Sequence, residues 1–109
     1  VKAAKEMDLV RVCLQWLQGV RKLFAWRANN VGVYDPVGKR FRSFRGLKGV
    51  ADIYLLEGGK SVFIEVKSLT GKQSEDQKAF EENVKARGGY YLLVRSLKEL
   101  MDGLEMIGL

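Results

Sequence analysis

Residues 49–67 read GVADIYLLEGGKSVFIEVK. Two apolar runs flank Gly58-Gly59, the signature of a two-residue hairpin turn. If those glycines make the turn, Glu57 pairs with Lys60, and the same register sets Asp52 opposite Glu65. Their Cβ atoms then stand roughly 4.5–5.5 Å apart. Strand alternation brings Lys67 to the same face as Glu65 and turns Val62, Ile64 and Val66 to the other face, into a core.

Two carboxylates set opposite each other repel, so something must compensate. Lys67 alone is one answer. A divalent cation between the two is another, and Mg²⁺ suits a site with one or two carboxylates and several exchangeable waters. A lysine beside such an ion orients water or neutralises a phosphate oxygen. Together these parts suffice for phosphodiester hydrolysis in a chain with no histidine. The competing reading is an exposed strand face with an ordinary charge mix.

Outward from the hairpin, the chain reads as one α/β domain over residues 1–109. Met7, Val10, Leu14 and Leu17 make a helical stripe between Ala3 and about Gln18, with Gly19 as the stop. Lys22 to Ala28 reads as a strand, with Trp26 in the core. A hairpin is expected within residues 31–44, around Pro36. The opening stretch predicts strands over Ala51–Leu56 and Ser61–Lys67. Ser74 begins a second helix that runs to Arg87 and stops at Gly88-Gly89, and Tyr90–Val94 reads as a core strand without a catalytic role. Ser96 and Glu99 form a capping-box signal for a last helix.

The net charge of +6 is uneven. Residues 1–48 hold 11 Lys/Arg against 3 Asp/Glu, a net +8, while residues 49–109 hold 8 against 10, a net −2. A basic half points to a polyanion, nucleic acid first. Lys39, Arg40, Arg42, Arg45 and Lys48 lead directly into the acidic strand, with Phe41 and Phe44 between them. Arg27 and Lys72 extend that candidate DNA surface, by contacts that bind phosphate without reading sequence. An acidic-lipid binder would want a basic amphipathic helix, which is missing, and no apolar run reaches membrane-spanning length. The single cysteine, Cys13, suits a reducing interior, so a cytoplasmic, nucleoid-associated setting is expected.

Asp52 followed by Glu65-Val66-Lys67 resembles the PD-(D/E)XK nuclease motif, with Ala51 where proline is usual. Further stretches sharpen the likeness to the virus-type replication-repair nuclease (VRR-NUC) domain. They are Glu6 on the first helix, WRANNVG at 26–32, KGVADI at 48–53, SLTGKQSEDQKAF at 68–80 and GGYYLLV at 88–94. The resemblance covers about residues 6–96. It implies a restriction-endonuclease-like fold, a mixed central sheet flanked by helices. Mg²⁺- or Mn²⁺-dependent cleavage of structured DNA goes with that fold. Small stand-alone members, many from phages or prophages, resemble Holliday-junction resolvases and act as homodimers; members within larger proteins cut flaps. The resemblance makes Glu6, Asp52, Glu65 and the Val66 carbonyl metal ligands, with Glu6 completing the acidic cluster from the first helix, and Lys67 the catalytic lysine. Gln77 becomes a site residue, although Ser74 to Gln77 also reads as a capping box. Alternatives are a monomeric flap nuclease and a non-catalytic DNA-binding module on the same fold.

Overall fold

The computed structural model describes residues 4–28, 33–42 and 47–109. Ala4–Gln15 form helix α1, which widens into a π turn over Trp16–Val20. The strands are β1 (Phe24–Arg27), β2 (Val33–Asp35), β3 (Arg40–Arg42), β4 (Ile53–Glu57), β5 (Lys60–Val66) and β6 (Tyr90–Val94). Helices α2 (Glu75–Ala86) and α3 (Leu97–Met106) bracket β6 in the chain.

The hairpin has the register that its glycines imply. Gly58 and Gly59 take φ of 57° and 77°, the positive pair that a tight hairpin turn demands. Glu57 pairs with Lys60 and Ile53 with Ile64. The sheet order is β1-β4-β5-β6, antiparallel except for the parallel β5–β6 pair. This is the expected mixed sheet. The short hairpin β2–β3 pairs Tyr34 with Phe41.

Both faces of the sheet are covered by helices, for a reason written in the alternation. Ile53, Leu55, Val62, Ile64 and Val66 are fully buried under Val10, Cys13 and Leu17 at the N-terminal end and Leu100 and Leu104 of α3. Each such side chain contributes about 1.5–3 kcal/mol on burial. On the opposite face, Phe80 and Val84 of α2 pack with Ala51, Phe63 and Tyr91.

Four local expectations shift. Gly19 does not end the first helix: the Arg21 N–H donates to the Trp16 carbonyl in a π turn, and the chain reverses at Lys22, where φ is 55°. The buried stripe is Glu6, Val10, Cys13 and Leu17, rotated from the one expected, with Leu14 only partly buried. Trp26 is no core residue; it stays 37% exposed, because it faces away from α1 beyond the reach of α2. At α3 the Ser96 hydroxyl accepts from the Glu99 N–H, but the Glu99 carboxylate takes the Arg95 N–H, one residue before the cap. Among the described residues, no helix is long and apolar enough to cross a membrane.

Candidate active site

Asp52 sits one residue before β4, where the Ala28 N–H donates to its carbonyl and ties the end of β1 to the start of β4. Its side chain is fully buried, and Oδ2 accepts the Val66 N–H at 2.8 Å. Glu65 is fully buried as well, on the same face, across the hairpin. The N–H and C=O of one strand residue point to the same edge, so the Val66 carbonyl is directed to the Asp52 side.

Lys67 is 8% exposed, and its Nζ stands 3.8 Å from Glu65 Oε2. The Gln77 side-chain amide donates to the same oxygen at 3.2 Å. Gln77 also completes the capping box, its Oε1 accepting the Ser74 N–H and its own N–H donating to Ser74 Oγ. The two expected roles are therefore one geometry: the box fixes the carbonyl end of the amide, and the NH₂ end is left pointing at Glu65.

Glu6 reaches in from α1, where Oε2 accepts the Ser68 N–H at 2.7 Å. Among the described residues, no three acidic or cysteine side chains come close enough to cage an ion together. Glu6 Oε2 is thus tied to the backbone that follows Lys67. The Ser68–Gly71 turn wraps this carboxylate tightly; a Cβ at Gly71 would lie 2.7 Å from Glu6 Oε2. Arg95 locks the turn by donating to the Ser68 and Gly71 carbonyls.

Asp52 and Glu65, together with the Val66 carbonyl, make a set of hard oxygen donors. That chemistry fits Mg²⁺ or Mn²⁺ and would not select a thiophilic metal.

Two further groups feel these carboxylates. Cys13, fully buried on α1, has its thiol pushed up to about 11, by burial first and then by the negative charge of Asp52. Burial likewise raises the Tyr91 phenol; the Gln73 hydrogen bond opposes this, while Glu65, Glu81 and Asp52 add to it. The Gln73 amide bridges Glu81 and the Tyr91 oxygen, at 2.9 and 3.2 Å. Ser68, Gly71 and Arg95 were also absent from the sequence reading, and only the turn chemistry of SLTG hinted at them.

Arg27 is half-buried against α1, with Nη2 donating to Met7 Sδ at 3.3 Å and Nε finding no hydrogen-bond partner among the described residues. Lys39, Lys48 and Lys72 are exposed. Arg40 and Arg42 occupy positions of β3, and Arg45 lies outside the described residues, as do Asn29–Gly32 of the WRANNVG stretch.

No family model and no curated protein matches the sequence. Among solved structures, a VRR_NUC domain superposes with a TM-score of 0.67 at 21% identity, covering 98% of this chain and 100% of its own. A VRR_NUC domain protein superposes at 0.62 and 15% identity, covering 97% of this chain and 89% of its own. The chain therefore has the α/β fold of VRR_NUC domains, as the resemblance in its motifs implies.

Proposed function

We propose that this chain is a Mg²⁺- or Mn²⁺-dependent endodeoxyribonuclease of the PD-(D/E)XK type. One observation carries the reading: Asp52, Glu65 and Lys67 converge, all buried, at one end of a hairpin whose fold is that of VRR_NUC domains. Buried charges without a function are costly to retain.

Asp52, Glu65 and the Val66 carbonyl would hold the ion. Once bound, such an ion polarises the scissile phosphate and lowers the pKa of a coordinated water. Lys67 neutralises a phosphoryl oxygen or orients the attacking water, a role that needs its Nζ close to Glu65. Gln77 fixes the Glu65 carboxylate, and Glu6 fixes the backbone of Ser68, so that Lys67 is held between two anchored neighbours. Arg27, with an N–H that has no partner among the described residues, and Lys39, Arg40, Arg42, Arg45, Lys48 and Lys72 give the DNA backbone its contacts.

The substrate is branched DNA, the four-way junction first, cut by a homodimer whose two-fold axis matches two symmetric incisions. The net charge of +8 over residues 1–48 supports a nucleic-acid partner. The experiment is cleavage of labelled four-way junction, flap and plain duplex, with Mg²⁺, Mn²⁺ or EDTA, by wild type and Glu65→Ala. Metal-dependent paired nicks in the junction, lost in Glu65→Ala, are expected. Flap cutting alone would replace the junction by the flap as substrate. Binding without cutting under either metal would overturn the enzyme reading.

A further inference from the structure

The face of the sheet that carries Asp52 and Glu65 also carries an aromatic row. Trp26 of β1 lies opposite Tyr54 of β4, which lies opposite Phe63 of β5. Ring centroids are 4.8 Å apart from Phe24 to Trp26, 4.9 Å from Trp26 to Tyr54, 4.4 Å from Tyr54 to Phe63 and 5.1 Å from Phe63 to Phe80. Tyr54 follows Asp52 by two residues and Phe63 precedes Glu65 by two, so row and carboxylates share one face. The row runs from solvent inward: Phe24 is 64% exposed, Trp26 37% and Phe80 7%.

Between this row and α2 lies an open groove of about 960 Å³. Phe63 and Phe80 form its floor. Asp76 and Lys48 stand at the end next to Gln77, and Arg87 and Gly88 stand at the other. The span from Asp76 to Arg87 is about 16 Å along a helix. An aromatic floor with a cation at each end suits a flexible polyanion with flat apolar rings. Among the described residues, Asp76 is the one acidic side chain lining the groove. A duplex fits the chemistry poorly, because its base faces are already stacked on one another.

We propose that this groove and the rings beside it hold an unpaired strand of the branched substrate. Its bases stack on the exposed rings of Phe24 and Trp26 and on the Phe63 floor. Its phosphates meet Lys48 and Arg87. The strand then leaves the groove at Lys48 and Asp76, beside Gln77 and Glu65. This assignment deepens the nuclease reading and rests on it for the branched substrate. It gives that reading a source of structure selectivity: an arm that is unpaired, or that opens at the branch point, fills the groove where an intact duplex does not.

The test is binding in EDTA of oligo-dT, a splayed-arm duplex and a blunt duplex to wild type, Trp26→Ala, Trp26→Phe, Phe24→Ala and Lys48→Ala. Quenching of Trp26 fluorescence by oligo-dT is read in a Trp16→Phe background and needs no change in the groove. Expected are quenching and roughly tenfold weaker binding of the splayed arm by Trp26→Ala, with Trp26→Phe close to wild type and blunt duplex unaffected. Unchanged affinity without quenching would overturn the proposal. So would a shift in oligomeric state in Trp26→Ala at constant DNA affinity, which would make the row a protein interface. Cleavage in Mg²⁺ is scored separately. A chain that cuts nothing but keeps the aromatic dependence loses the nuclease reading alone; one that cuts normally without that dependence loses the groove alone.

Discussion

Asp52 Oδ2 takes the Val66 N–H at 2.8 Å, just past the last pair of the β4–β5 ladder. A side chain thus does what the Ala51 carbonyl would do if the ladder ran on to pair Ala51 with Val66. The bond holds the carboxylate against β5.

Asp52→Asn separates the shape of this bond from its charge. The amide oxygen still accepts the Val66 N–H, so stability should change by less than about 1 kcal/mol, with either sign allowed by the loss of a buried charge. Cleavage should fall by at least about 10²-fold. Chemical denaturation and junction cleavage, measured on the same preparation, check both halves.

At Gln77 two substitutions divide its two duties. Gln77→Glu keeps the capping box with Ser74 but sets a carboxylate against Glu65, so cleavage should drop and the melting temperature should fall through repulsion alone, a fall that lessens as pH is lowered and the pair takes up a proton. Gln77→Ala loses both, with about 0.5–2 kcal/mol of stability gone as well. Equal activity in Gln77→Glu and wild type would remove Gln77 from the site.

Glu6→Gln should cost less activity than Asp52→Asn, by about tenfold or more, because the amide oxygen still accepts the Ser68 N–H. Comparing single-turnover rates at saturating Mg²⁺ ranks the two. Equal losses would place the Glu6 charge at the ion itself.

For Cys13, the pKa rises from the ordinary 9.0 to about 11 in the fold. Above pH 9.0 the unfolded thiol ionises while the folded thiol keeps its proton. Stability is therefore full below pH 9.0 and lost as pH rises to about 11, by about 2 kcal/mol from this residue. In Cys13→Ala that alkaline slope should flatten relative to wild type in urea titrations across pH 8–11.

The parts of the molecule that the sequence reveals are those set by nearest neighbours. Gly58-Gly59 fixed the register, and the register put Asp52 across from Glu65. Ser74 and Gln77 announced α2, and the resemblance of the motifs to VRR-NUC domains announced the sheet around them. What stayed hidden depended on distant chain. Glu6 finds Ser68 across 62 residues, and no local pattern encodes that meeting. Trp26 looked like core because its strand does; its exposure depends on how far α2 extends over the sheet. The widened turn at Trp16–Val20 carried α1 past a glycine that reads as a stop.

Gly49 tolerates little. Its φ is 77°, and a Cβ there would sit 2.2 Å from the Asp76 carbonyl oxygen in the first turn of α2. Gly49→Ala should cost roughly 2 kcal/mol or more and lower cleavage as well, since the strand leading to Asp52 and the helix bearing Gln77 must part. Thermal melts with cleavage read well below the melting point would show both effects.

The bond between Glu6 and Ser68 sets an order of events during synthesis. Helix α1 is made first, yet its glutamate has no partner until the β4–β5 hairpin and the turn after it have been translated. A nascent chain halted before residue 68 carries Asp52 and Glu65 but cannot seat Glu6. Made first, α1 is tied to the Ser68–Gly71 turn only once that turn exists.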